Sequence, residues 1–382
     1  MIRINLFIFA TSFFLLLILS LFTNIFLIKF NPIIILLFLL FVLFLIFFLV
    51  KKQSFKIFIQ FEFSNKFLII FLLFGSLCLS LQFLLYGIPI IHLVNYQNFK
   101  PTNHLTFFLP LGLGFILFTA LLSVYKIFFL KVKKLYILIL SFCVFMLLLG
   151  MARSYITIIL LFTIICLFLS KLNPTKKYIF LFTFIILFSI FFSIYSNLKT
   201  NNVLLGKMNN IEYIESKTTN TNFLYQNLFF WPISYVVSPL ANLSNIDYVD
   251  YSVDKYLQYT FLDESKIVTF GISDFETIMV LRKNFLIDDN FNTSTGFFYP
   301  YYFGGLIGVI FYFLINLFFL YLIGIFFISK HLRSFFTIFL SSVMPLIFFT
   351  NIFVQPFFIY PLVLIILISI FGHFFLKPIN ND

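Results

Sequence analysis

Only four arginines stand against 21 lysines in this chain, and one of them, Arg153, sits in Gly150-Met-Ala-Arg-Ser-Tyr155 between two apolar runs. A guanidinium keeps its charge at any physiological pH and grips phosphate oxygens through two parallel N–H donors. At a membrane edge such a residue either clamps a phosphate or snorkels from a helix end. A basic pair, Arg282-Lys283, lies in a stretch that is otherwise net negative. It can hold a phosphate or a sugar, or pair with Asp288 or Asp289. The third group is Asn292-Thr-Ser-Thr-Gly-Phe-Phe-Tyr-Pro-Tyr-Tyr-Phe-Gly-Gly-Leu-Ile-Gly308. Its Thr295 hydroxyl and the rings of Tyr299, Tyr301 and Tyr302 suit carbohydrate, whose CH faces stack on aromatics while its hydroxyls seek hydrogen bonds. Gly304, Gly305 and Gly308 permit close helix approach, which is their packing role in any case.

Other chemistries find little support. His92 and His104 flank one short connection without an accompanying carboxylate or thiolate, and Cys78, Cys143 and Cys166 all fall in apolar runs. There is no Gly-rich phosphate loop, nucleophile elbow or zinc motif, so no metal, nucleotide or other cofactor is expected.

The elements that must carry these residues are membrane helices. Mean hydropathy is +1.10, 62% of residues are hydrophobic and 10% are charged, whereas a soluble domain carries roughly a quarter charged residues. The richness in Phe, Ile, Asn and Lys is read as compositional bias rather than aromatic chemistry. The net charge of +12 comes from lysines clustered between apolar runs, which encodes topology and argues against nucleic acid as a partner. A helix needs about 20 apolar residues to cross a core of roughly 30 Å. Spans are expected at 4–23, 33–50, 67–91, 105–125, 135–151, 155–169, 178–196, 304–327, 335–353 and 357–376, the sixth short enough to be tilted or partly re-entrant. The start of the chain resembles a signal peptide's charged segment, but no small-residue cleavage site follows, so 4–23 is read as a retained helix.

The positive-inside rule orients this set. With the N-terminus cytoplasmic, 15 basic residues fall on the inner connections and termini, among them Lys126, Lys131, Lys133 and Lys134 of the connection 126–134, and only Lys29, Lys100 and Arg153 on the short outer ones. The expectation is therefore an all-α polytopic membrane protein of about ten helices with both termini cytoplasmic. Helices 1–7 occupy 1–196, a large outward loop or cap 197–296, and helices 8–10 residues 297–382. Eleven of the 13 acidic residues lie in that loop, Asn197–Gly296. Within it Phe223–Val237 is too interrupted by Gln226, Asn227 and Pro232 to span. Its Trp231 suits the headgroup level, as membrane packing or as a contact with a lipid substrate. Apart from Arg153 no span holds an unexplained charge, and the bundle interior is expected to lack the polar groups of an ion-coupled transporter.

These pieces resemble the O-antigen polymerases, the oligosaccharide repeat-unit polymerases of Gram-negative bacteria. Most of the length is similar as architecture, and three patches are similar by residue. Gly150-Met-Ala-Arg-Ser is like a Gly/Ser-Arg-Ser step opening a helix. Tyr235-Val-Val-Ser-Pro-Leu-Ala-Asn-Leu is like a loop stretch of Tyr, Ser/Gly-Pro and Asn. Asn292 to Gly308 is like an Asn-x-x-Thr, Pro-Tyr-Tyr, Asp-Phe-Gly-x-x-Gly pattern, except that Phe303 and Gly304 stand in place of Asp-Phe, so no role of that acid carries over.

The resemblance implies an inner-membrane glycosyltransferase working on undecaprenyl-diphosphate-linked oligosaccharides at the periplasmic face. A hydroxyl of one repeat unit attacks the anomeric carbon of the growing chain, and undecaprenyl diphosphate leaves. In that scheme Arg153 stabilises the leaving diphosphate, Arg282 and Lys283 grip further phosphate or sugar, and Asp274 or Glu276 takes the proton. The lipid bilayer is the other partner, and the scheme leaves room for a polysaccharide chain-length regulator. An O-antigen ligase would share this architecture, and a flippase of lipid-linked sugar is the main rival outside the enzymes.

Overall fold

The computed structural model describes residues 2–23, 31–50, 61–88, 108–130, 134–150, 152–170, parts of 172–189, 230–246, 249–262, 295–329, 332–372 and 376–378. Within the first half of the chain the helices are α1 (Ile2–Thr23), α2 (Pro32–Val50), α3 (Asn65–Tyr86), α4 (Phe108–Phe129), α5 (Lys134–Leu149) and α6 (Arg153–Leu169). From the acidic insert come α7 (Phe230–Ser244) and α8 (Val253–Leu257), which runs on into a wider π-type turn, Gln258–Leu262. The C-terminal part holds α9 (Phe298–Leu322), α10 (Arg333–Val343) and α11 (Pro356–Ile370). Three helices are long and apolar enough to cross a membrane, Asn65–Leu85, Phe108–Phe129 and Phe298–Phe327, and six shorter apolar helices accompany them among the described residues. This is a helical fold of membrane type. The expected span 178–196 falls largely outside the described residues.

Beside the helices of this all-α fold there is one short ribbon. Phe61–Phe63 (β1) pairs antiparallel with Leu376–Pro378 (β2), so the segment before α3 and the C-terminal segment form a small ribbon. The backbone there leaves the apolar runs, and pairing satisfies its N–H and C=O groups.

Helix α4 is the pillar of the N-terminal half. Its middle, from Gly112 to Lys126, is buried almost all round, as expected of a helix apolar on every face. Gly114 is what lets α11 approach: a Cβ there would stand 2.5 Å from the Cβ of Tyr360. Lipid-facing residues instead line α3, where Ile70, Leu73, Leu77 and Leu84 are exposed. Nothing in water would tolerate such a stripe, and a hydrocarbon solvent favours it.

At the end of α4 the sequence reading fails in an instructive way. Lys126 was expected among the lysines of an inner connection, yet it lies inside the helix and is 0% exposed. Its ammonium donates to the Phe63 carbonyl of β1 and, at 2.6 Å, to Asn65 Oδ1. Tyr136 donates to the same Asn65 oxygen at 3.1 Å, and its ring lies 4.8 Å beneath the ammonium. Burying a cation is tolerable only with hydrogen-bond partners of this kind. Lys177 is used similarly, capping the last carbonyls of α6 at Phe168 and Ser170, where a cation also complements the helix dipole.

The C-terminal half is less regular. The expected span 304–327 begins earlier, at Phe298, but bends at Gly305, whose φ of 58° and ψ of −153° are not helical. Residues before and after the bend run side by side. The Pro300 carbonyl lies against Gly308, where a Cβ would clash with it, and the Phe297 and Tyr312 rings meet at 6.1 Å. The stretch 298–304 is thus a short arm folded back along α9. The expected span 335–353 is interrupted too: α10 tightens into a 3₁₀ turn at Met344–Phe348, leaves the helix, and the chain enters α11 through a second short turn, Ile352–Val354.

Candidate functional site

Both interruptions meet in one place. Thr295 closes the turn that starts the folded-back arm, its Oγ1 accepting the Phe297 N–H at 3.3 Å and its carbonyl the Phe298 N–H at 3.1 Å. The next N–H, that of Gly296, donates to the Ile347 carbonyl at 2.7 Å, joining the arm to the end of α10. At the other end of the arm the bend deprives the Tyr302 and Phe303 carbonyls of helical donors. The Asp250 and Ser252 N–H groups replace them at 2.8 and 3.2 Å. The insert therefore completes the hydrogen bonding of a broken helix, as irregular backbone in a membrane protein requires.

The same insert segment reaches deeper. Tyr256 donates its hydroxyl to the Gly308 carbonyl at 2.9 Å, and burial pushes its phenol up to about 12, so it is a fixed donor and not a base. Below it Asn351, in the second interruption, donates to the Thr260 carbonyl at 2.6 Å and accepts from the Tyr312 hydroxyl at 2.6 Å. Asn316 adds a hydrogen bond to the Tyr312 carbonyl at 2.8 Å. Thr260 is fully buried, and its hydroxyl has no partner among the described residues. Three segments far apart in sequence thus share a buried cluster of neutral donors and acceptors. Such a cluster fixes geometry and offers sites to a water or a hydroxyl, but carries no charge of its own.

Arg153 is placed by its backbone alone. It is the first residue of α6, whose N-cap is Ala152, a residue with no side-chain acceptor for the first N–H groups. The helical ladder starts with the Ile156 N–H on the Ala152 carbonyl at 3.2 Å. The N–H groups of the preceding turn thus have no intrahelical acceptor. Two residues on, the Tyr155 ring packs edge-on against Phe357 at 5.9 Å, tying the first turn of α6 to the first turn of α11. Gln355 and Thr350, hydrogen-bonded to each other at 3.2 Å, lie just before that turn. A cation at a helix start is opposed by the helix dipole by about 0.3–1 kcal/mol. An anion bound there would meet both the guanidinium and the N–H groups of the first turn.

The sequence-derived site residues are therefore distributed unevenly. Thr295, Tyr299, Tyr301 and Tyr302 come together in the arm, but all four are buried. The Tyr299 and Tyr302 rings pack on other aromatics: Tyr299 stacks with Tyr259 at 5.9 Å and Tyr302 with Phe298 at 6.1 Å. As described they shape the arm and do not present open faces to a sugar. Arg153 and Trp231 are placed by their backbones, at the start of α6 and in the first turn of α7, while their side chains lie outside what is described. Asp274, Glu276, Arg282 and Lys283 lie outside the described residues altogether. Sequence reasoning missed Tyr256, Thr260, Tyr312 and Asn351, and it expected no polar groups in the interior. The available signals were Asn316 and Asn351, amides set within or between apolar runs.

No family model, no curated protein and no solved structure matches this chain.

Proposed function

We propose that the protein is an O-antigen polymerase: an inner-membrane glycosyltransferase that joins undecaprenyl-diphosphate-linked oligosaccharide units at the periplasmic face. About ten spans, cytoplasmic termini and the periplasmic insert 197–296 belong to the same reading. The observation that carries it is Arg153 at the uncapped start of α6, packed through Tyr155 on the α11 start beside the interrupted segments to which the insert docks. Here a lipid-borne diphosphate would meet a guanidinium, the N–H groups of a first helical turn and the insert together. The acceptor hydroxyl oxygen forms a bond to the anomeric carbon as the bond from that carbon to the diphosphate oxygen breaks. The electron pair leaves with the diphosphate, where Arg153 receives the charge, assisted by Arg282. The hydroxyl proton passes to Asp274 or Glu276 of the insert. Lys283 and Trp231 complete the substrate contacts, and the buried tyrosine-rich arm supports the site's wall.

One observation favours a second reading, a lipid-linked oligosaccharide flippase. Interrupted helices meeting at a buried polar cluster are a design that transporters use, and the bundle has both. A lipopolysaccharide gel from a strain lacking this gene separates the two. Collapse of the ladder to core plus one repeat unit supports the polymerase. Loss of every repeat, with lipid-linked units accumulating, overturns it in favour of transport or of ligation to the core.

A further inference from the structure

Segment 249–262 packs Tyr256, Tyr259 and Thr260 inward against α9, yet it turns a second set of apolar side chains outward. Tyr251 is 78% exposed, Val253 74% and Leu257 49%. This face continues the lipid-facing stripe of α9. The Tyr251 hydroxyl would lie 2.9 Å from a Cβ placed on Gly305, and the residues immediately following, Leu306 and Ile307, are exposed, Ile307 at 80%. One and two turns further on, Ile310, Phe311 and Leu314 are exposed as well.

Length fixes the level of this face. From the bend to Phe327 the helix alone spans about 33 Å at about 1.5 Å per residue, enough to cross a core of roughly 30 Å. The bend at Gly305 thus marks the hydrocarbon boundary, and segment 250–257 lies at it. The charges fit the same level. Asp250 and Lys255 pair at 3.0 Å, and the Lys255 ammonium lies 5.9 Å from the Phe303 ring centre, a long side chain laid over an aromatic with its head kept near polar groups.

We infer that residues 250–257 are a membrane-interface segment of the insert. Tyr251, Val253 and Leu257 dip into the acyl–headgroup boundary of the bilayer and seat the insert on the lipid at the bend of α9. The occupant of this face is phospholipid, because the face is continuous with lipid-facing residues and lies where α9 leaves the hydrocarbon. This goes beyond glycosyl transfer and does not depend on it.

The test uses the full chain in phosphatidylethanolamine–phosphatidylglycerol vesicles. Val253→Cys and Leu257→Cys are labelled with an environment-sensitive nitrobenzoxadiazole, with Asp254→Cys for comparison and the labelled parent, whose three native cysteines are buried, as the blank. Both substituted residues are exposed, so the fold should tolerate either. Lipids carrying a nitroxide near the headgroup should quench the probes at 253 and 257 at least about twofold more than the probe at 254, while aqueous iodide has little effect on them. Quenching by iodide without a nitroxide effect would place the segment in water and overturn the inference. Quenching by neither, with energy transfer between labelled copies, would overturn it in favour of a second copy of this chain.

Discussion

The end of the bundle around Lys126 and the region around Arg153 use positive charge in opposite ways. Lys126 is enclosed by groups of its own chain, the Phe63 carbonyl, Asn65 and the Tyr136 ring, and Lys177 caps the end of a helix whose dipole welcomes it. Arg153 opens a helix whose dipole opposes it, after an N-cap that offers no acceptor. The first arrangement stabilises the fold. The second sets a cationic residue at the helix end that the dipole makes positive, a place where an anion would be favoured. The backbone follows the same division. Around Lys126 the backbone ends in a paired ribbon, while beyond Tyr155 and Phe357 two interrupted segments and the insert complete each other's hydrogen bonds. Irregular backbone of this sort is expected where a polar ligand must be met inside a membrane protein.

This comparison can be broken at several points. The largest effect is expected at Arg153: removing a preorganised donor to a developing anion costs about 3 kcal/mol, roughly a hundredfold in rate. Arg153→Ala should therefore lower polymer formation in reconstituted vesicles by that factor while the thermal midpoint in detergent holds or rises slightly. A fall in midpoint would make it a structural residue like Lys126. Lys126→Met should do the reverse. It strands a buried carbonyl and amide and should cost about 2–3 kcal/mol, read as a lowered midpoint, with activity per folded molecule kept.

Asn351→Ala sharpens the other side, since it leaves the Thr260 carbonyl and the Tyr312 hydroxyl unpaired at a cost of about 2 kcal/mol. Hydrogen exchange in 249–262 should rise with it, and unchanged exchange there would disconnect the cluster from the insert. The smallest effect, about 1 kcal/mol, is expected for Tyr256→Phe, which removes the bond to Gly308. With the phenol's pKa raised to about 12 in the fold, against about 10 when unfolded, this contribution is fully present below pH about 10 and is lost as pH rises through about 12. The stability difference from wild type should therefore be flat from pH 6 to 9, and a slope in that window would contradict the buried donor.

Much of the frame was legible in the sequence, because an apolar run of sufficient length has few alternatives in a bilayer. The runs 33–50, 105–125 and 155–169 return as α2, α4 and α6 with ends shifted by a few residues. Arg153 stood out because arginine is rare here and the run around it is apolar. What escaped depends on distant contacts. Lys126 reads as a loop lysine until Phe63, Asn65 and Tyr136 are brought to it. Gly304 and Gly305 signalled close packing, but nothing local says that the chain doubles back there. Tyr299, Tyr301 and Tyr302 look like a sugar platform until the fold-back buries them. The Thr260, Tyr312 and Asn351 cluster joins three segments that no periodicity relates.

The most direct test of Arg153 as a phosphate clamp is the lipopolysaccharide ladder of a strain lacking the gene and complemented with Arg153→Ala or Arg153→Lys, each verified as inserted. The expected result is core plus one repeat unit for Arg153→Ala and a poor, shortened ladder for Arg153→Lys, because an ammonium lacks the bidentate fork. Ladders of normal length from both variants would contradict the account.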